Sequence, residues 1–315
     1  AVVTVAFAAA KPGLLLGAGP ALCGRVRVAD IGLDVSRASI ALVDAAGAAA
    51  AVPVRPLDAH KWAAAVLVIA GRPGMTGAAR LAAAAAQRSG AGMVRVAVPG
   101  MDDPPLPTEA VARSCGRDDW AEALATDRRE RAVVIGPGLG LSMVDRHQIR
   151  AFCAADPRPM VIDGDALTAL GRDVSDIVGM RTAPTVLTPH DAEFARLTGQ
   201  HPGPDRIADA IDLAASTGAV VLLKGPTTVV ADPRGIVRLV TAGDERLATA
   251  GTGDVLCGVI AAFLAGGTSP LEAAAAAAYV HGVAGSSCPP RGTIASDVVD
   301  AIPAALATID SREPV

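Results

Sequence analysis

From residue 60 onward the chain alternates short β-branched runs with longer alanine-rich segments, a rhythm that admits few architectures. Residues 66–69, 93–98, 132–135, 160–162, 185–187 and 219–223 read as buried strands, and helical stretches such as 76–89 lie between them. Strands this short, separated by helices, specify an α/β sheet that is mostly parallel and covered on both faces. At 315 residues the chain can bury a substantial core as one large domain or two. Hydrophobic residues make up 51% of it but aromatics only 2%, so alanine supplies much of the apolar surface. Alanine-rich helices packed closely on a sheet fit that composition; an aromatic platform for nucleic acid does not. A net charge of −4 without a long basic run argues against nucleic acid and anionic membranes as partners.

Chemistry-bearing residues gather at the strand ends. These read Ala70-Gly71, Gly136-Pro137-Gly138-Leu139-Gly140, Asp163-Gly164-Asp165, Thr188-Pro189-His190 and Lys224-Gly225-Pro226-Thr227-Thr228. In open parallel sheets ligands bind at the carboxyl edge of the strands. Turn chemistry explains one such cluster; five in succession point to an active-site rim.

The stretch Thr249-Ala250-Gly251-Thr252-Gly253-Asp254 leads straight into the apolar run 255–264, so a small-residue loop opens a helix there. Glycines let backbone N–H groups turn toward an anion, and the helix start adds partial positive charge. A carboxylate beside a phosphate cradle is useful if it takes a proton from a hydroxyl that attacks the phosphate. The hexapeptide alone fits equally a plain helix start with Asp254 as a capping residue.

Other chemistries fall away. There is no G-x-x-x-x-G-K-[ST], Leu141 stands where a dinucleotide fingerprint after 132–135 needs its third glycine, and no G-x-S-x-G elbow occurs. The five cysteines are scattered and never in a CxxC pair, which suggests reduced thiols in the cytoplasm and no zinc site. No apolar stretch is long enough to span a bilayer, and the first residues do not read as a signal peptide. Residues 100–131 read as a proline-rich and then charged surface excursion with a solvated helix. Residues 45–51 read as a linker, and 2–7 and 24–31 as strands of a segment too short for its own core.

A nucleotide site near 224–228 and Gly253, with Asp254 between it and a second ligand, is the coherent reading. At these residues the chain resembles the ADP/ATP-dependent NAD(P)H-hydrate dehydratase family of the ribokinase-like superfamily. The resemblance rests on an ordered set of stretches over about residues 50–305. They are His60-Lys61, Gly71 with 75–79, Gly90-Ala91-Gly92, 136–140, 161–167, 187–194, Leu223-Lys224-Gly225, 251–256, His281-Gly282 and Ala295-Ser296-Asp297. Each is weak alone; their order is specific. Residues 4–7, 11–14, Cys23-Gly24 and 30–33 are similar to the last strands of the NAD(P)H-hydrate epimerase domain that precedes the dehydratase in bifunctional bacterial proteins. We therefore expect residues 1–40 to be an incomplete epimerase remnant without that activity, and 41–315 to form a three-layer α/β/α ribokinase-like domain.

The resemblance implies repair of hydrated NADH or NADPH (NADHX, NADPHX), with ADP or ATP phosphorylating the ring hydroxyl before phosphate leaves. It implies Asp254 as the catalytic base, Gly251, Thr252 and Gly253 as the anion hole, and Lys224, Gly225, Pro226, Thr227, Thr228 and Gly253 as nucleotide-binding residues. Lys224 has a second reading, as a neutraliser of rim carboxylates. Ala78, Gly140, His190 and Asp254 would contact the hydrated dinucleotide. Asp163 or Asp165 would either hold Mg²⁺ through water or cap the helix that begins near Ala166. A homo-oligomer is expected. The chain departs from the family at 243–246, reading Gly-Asp-Glu-Arg, and at Pro226 and Trp62; the first departure places negative charge near a phosphate site. The alternative is a small-molecule kinase of the same superfamily, of hydroxymethylpyrimidine, thiazole or pyridoxal type.

Overall fold

Residues 1–126 and 128–310 are described by a computed structural model. Two short strands come first, β1 (Val3–Phe7) and β2 (Arg25–Ala29), paired in parallel as a sheet of their own. Helices α1 (Pro12–Leu15) and α2 (Gly19–Cys23) connect them. The main sheet has ten strands in the order β3-β12-β11-β10-β9-β8-β7-β4-β5-β6. In chain order these are β3 (Ile40–Leu42), β4 (Ala65–Ile69), β5 (Met93–Ala97), β6 (Val111–Ala112) and β7 (Ala132–Ile135). Then come β8 (Met160–Ile162), β9 (Thr185–Leu187), β10 (Val220–Leu223), β11 (Thr228–Ala231) and β12 (Val237–Val240). All pairings are parallel except those of β11 with β10 and β12. A boundary between residues 40 and 41 would cut β3 one residue after its start.

The two faces of the sheet differ in side-chain size. Successive residues of a strand point to opposite faces, so Val66, Val68, Ala132, Val134, Val161 and Val186 line one side. Leu67, Ile69, Ile135, Met160, Ile162 and Leu187 line the other. Over the small-residue face lie α3 (Ala45–Ala51), α4 (Gly77–Arg88), α11 (Thr252–Ala265), α12 (Pro270–Ser287) and α13 (Ala295–Ile309). The other face is covered by α5 (Trp120–Ala125), α6 (Met143–Ala155), α7 (Gly164–Leu170), α8 (Val174–Val178), α9 (Asp191–Thr198) and α10 (Arg206–Thr217). Alanine permits close approach on the first side: a Cβ at Gly258 of α11 would lie 2.2 Å from the carbonyl oxygen of Ala82 in α4. Both α11 and α12 are buried along nearly their whole length, as helices apolar all round must be.

Three sequence expectations are corrected. Residues 45–51 form a helix, not a linker, because Asp44 caps the alanine run by accepting the Gly47 N–H at 2.8 Å. The hairpin of β11 and β12 was not foreseen beyond Thr228; Asp232 shapes its turn, accepting the N–H groups of Arg234 and Ile236 at 2.9 Å each. The excursion over 100–131 is not simply solvated. Trp120 and Leu124 are buried, and Glu130, with no exposed side-chain surface, bonds Arg95 at 3.0 Å and Arg158 at 2.8 Å. Arg158 also bonds Asp156 at 2.7 Å, so the buried charges are paired and hydrogen-bonded.

Candidate active site

The carboxyl ends of β8, β9 and β10 meet the N-terminus of α11. Asp163, directly after β8, is buried, and its Oδ1 accepts hydrogen bonds from Lys224 Nζ and from the Thr188 hydroxyl, both at 2.9 Å. Lys224 follows β10 and also lies 3.5 Å from Glu193 of α9. Burial works against the Lys224 ammonium, but Asp163 and Glu193 outweigh it and hold its pKa above the ordinary value. For Asp163, burial favours the neutral acid, yet Lys224 and its hydrogen bonds prevail and keep the carboxyl below its usual range. The ammonium thus does neutralise rim carboxylates, one of the two roles expected of Lys224.

Gly251 starts α11 with φ of 93°, a left-handed conformation that favours glycine; a Cβ there would lie 2.6 Å from Leu81. The Gly253 and Asp254 N–H groups, in the first turn, donate to no acceptor among the described residues. They are therefore free for an anion. Thr252 departs from the expected anion hole. Its hydroxyl turns inward to the carbonyls of Leu247 and Thr249, at 2.7 and 2.9 Å, and its N–H reaches the Thr249 carbonyl at 3.3 Å. It ties the loop rather than offering donors to a ligand.

Asp254 is half-buried beside this cluster, and a Cβ on its neighbour Gly253 would lie 3.6 Å from both Asp163 and Lys224. Burial raises the Asp254 pKa first, Asp163 adds to it, and Lys224 opposes, leaving the group at about 7. A carboxyl poised there can accept a proton near neutral pH, which an ordinary helix cap has no need to do.

The residues expected at the dinucleotide lie on the neighbouring loops. Gly140 has φ of 98° and donates its N–H to Asp165 Oδ2 at 2.8 Å. Ala78 sits in the first turn of α4, facing Gly138, whose Cβ would stand 3.4 Å from it. His190 caps α9: its Nδ1 accepts the N–H groups of Ala192 and Glu193 at 3.1 and 3.2 Å, and Nε2, the ring donor, lies 3.5 Å from Glu193 Oε1. Glu193 returns the bond by accepting the His190 N–H at 2.9 Å. The capping reading of the two aspartates is corrected: α7 begins at Gly164, Asp163 makes no side-chain cap, and Asp165 holds the Gly140 loop.

In the nucleotide segment, Gly225 and Pro226 are exposed, while Thr227 is buried with its hydroxyl donating to the Leu15 carbonyl at 2.6 Å. Thr227 thus anchors α1, and Thr228 opens β11. The Asp244 charge near this site is met by Arg246 at 3.3 Å. Arg206 was missed by sequence reasoning. It donates to the Lys224 carbonyl and to Asp191, both at 2.8 Å, and so braces the segment. No strand-end signal could have found it, since it opens α10.

A largely parallel sheet between two helical layers, with an acid in the first turn of a helix whose leading N–H groups are free, defines the ribokinase-like class. The model of the NAD(P)H-hydrate dehydratase family matches residues 66–304. A bifunctional NAD(P)H-hydrate repair enzyme of Salinibacter ruber is 39% identical over 95% of this chain and 60% of its own length. The Bacillus subtilis ADP/ATP-dependent NAD(P)H-hydrate dehydratase, co-crystallised with ATP/Mg²⁺, is 29% identical and covers 83% of this chain and 96% of its own, with a TM-score of 0.72. A ribokinase-like protein of Enterococcus faecalis is 25% identical, covering 89% of this chain and 100% of its own, with a TM-score of 0.75. The chain belongs to the NAD(P)H-hydrate dehydratase family, whose activity is that of a hydro-lyase. It spans about three fifths of the length of its bifunctional relatives.

Proposed function

We propose that this chain dehydrates NADHX and NADPHX at the expense of ADP or ATP. The observation that carries the reading is Asp254, raised to about 7 next to two free helix N–H groups. Its carboxylate takes the proton of the C6 hydroxyl while that oxygen attacks the terminal phosphoryl group, releasing AMP or ADP. The phosphate ester then breaks at its C–O bond, phosphate departs, a ring proton is lost, and the double bond returns. Gly253 and Asp254 N–H groups stabilise the charge that develops on the transferred phosphoryl oxygens. His190 offers Nε2, and the Ala78 and Gly140 loops offer close backbone, to the dinucleotide.

Among the described residues no cluster of three potential metal ligands occurs. That suits Mg²⁺, which is commonly held by nucleotide phosphates and water with one or two carboxylates. Asp163 supplies one such carboxylate: Oδ1 is taken by Lys224 and Thr188, the Cys257 thiol also bonds the carboxyl, and Oδ2 faces Gly253. The ion would supply neutralisation of phosphate charge. Among the described residues no helix is long and apolar enough to cross a membrane. A cytoplasmic homo-oligomer is part of the same proposal. Incubation with NADHX or NADPHX, Mg²⁺ and ADP or ATP should restore the reduced-nicotinamide absorbance. No restoration with either nucleotide sinks the proposal, and a stable phosphorylated product from another small alcohol favours the kinase alternative.

A further inference from the structure

Arg72 comes directly after Gly71 at the carboxyl end of β4, on the same rim as the dinucleotide loops and outside the cluster around Asp254. We infer that its guanidinium binds a phosphate group of the hydrated dinucleotide, an inference that rests on the proposed dehydration of NADHX and NADPHX. The guanidinium lies over Gly140: a Cβ there would stand 2.8 Å from Arg72 Nη1 and 3.5 Å from its Cδ. Glycine at 140 therefore does two things, adopting a positive φ and leaving room for this side chain.

Arg72 is half-buried, and its one side-chain hydrogen bond among the described residues goes to the Met75 thioether at 3.1 Å, a weak acceptor. Asp145, whose Oδ2 a Cβ at Gly140 would also meet at 2.8 Å, is committed elsewhere. Asp145 Oδ2 accepts the Ser142 N–H at 3.0 Å and hydroxyl at 2.7 Å, and its Oδ1 faces Arg117 at 3.8 Å. Asp165, which also faces this loop, holds the Gly140 N–H. A guanidinium carries five donors in a planar fork that matches phosphate oxygens, and most of these donors have no acceptor among the described residues. A second feature points the same way. The twelve-residue α4 starts at Gly77 with no side-chain cap, so Arg72 and an open helix N-terminus flank the Gly138–Gly140 turn together.

The test is steady-state kinetics of Arg72→Gln and Arg72→Lys with NADHX and NADPHX, each at saturating nucleotide and Mg²⁺. The glutamine variant should raise KM for the hydrated dinucleotide about tenfold more than it lowers kcat, with KM for ADP or ATP unmoved. The lysine variant keeps charge without the fork and should fall between. An equal rise for both substrates assigns the pyrophosphate; a rise confined to NADPHX assigns the 2′-phosphate. Unchanged KM for both substrates overturns the inference, and if the glutamine variant folds poorly, wild-type KM in the lysine variant does so. Failure of the wild-type protein to restore either substrate overturns the reaction instead.

Discussion

Asp254 shows how far a single side chain depends on its surroundings. Its pKa of about 7 comes from burial first and then Asp163, with Lys224 pulling the other way. A base must be ionised, so kcat/KM should rise with pH through an acid limb near 7 in the free enzyme. Lys224→Met removes the opposing charge and should move that limb upward, read from the pH–rate profile. The same shift has a stability consequence. The native state holds this proton more tightly than the unfolded chain does, so stability falls as pH rises from about 4 to about 7. Asp254→Asn should flatten that slope, and a thermal scan at pH 8 should find the variant at least as stable as the wild type. The residue types of this cluster stood in the sequence. Their pairing did not: Thr188, Lys224 and Asp163 are far apart in the chain, and the role of Thr252 as a loop tie depends on the carbonyls of Leu247 and Thr249.

At the level of elements, the contact between α4 and α11 positions the helix that carries Asp254. Gly258 lies against the Ala82 carbonyl, so Gly258→Val forces the helices apart. Overpacking of this kind costs about 1–3 kcal/mol and should lower the denaturation midpoint while also reducing activity, because α11 carries Asp254. The excursion before β7 offers a contrast. Glu130 joins Arg95 and Arg158 with no exposed side-chain surface, so Glu130→Gln takes one buried carboxylate out of a hydrogen-bonded charge cluster in which Arg158 keeps Asp156. Loss of about 1–3 kcal/mol in urea unfolding is expected, with the pH–rate profile unchanged. Sequence periodicity revealed β4, β5 and β7 to β10 together with α4, since their apolar pattern is local, but not the short edge strands β3 and β6. It could not reveal that the charged run before β7 folds inward, because the partners Arg95 and Arg158 come from other elements. Nor could alanine composition separate a linker at 45–51 from a helix, where the deciding contact is the Asp44 cap.

Over the whole molecule, the sheet divides its two faces by side-chain volume, and the site opens where strand ends meet α11. A nucleotide that binds this edge only in the folded state stabilises the fold by about 2.7 kcal/mol at a hundredfold excess over its Kd. For a chain of this size that is a rise of roughly 4 °C in Tm, measurable by calorimetry with ADP or ATP and Mg²⁺. The small sheet of β1 and β2 is tied to the main body in part through Leu15 and Thr227, so the opening segment touches the nucleotide segment itself. The most direct measurement follows nicotinamide restoration and nucleotide consumption together, in the wild type and Asp254→Asn. The account predicts one phosphate released per dinucleotide restored, and a fall of at least about a hundredfold in both rates for the variant. Wild-type rates in Asp254→Asn, or restoration without nucleotide consumption, would contradict it.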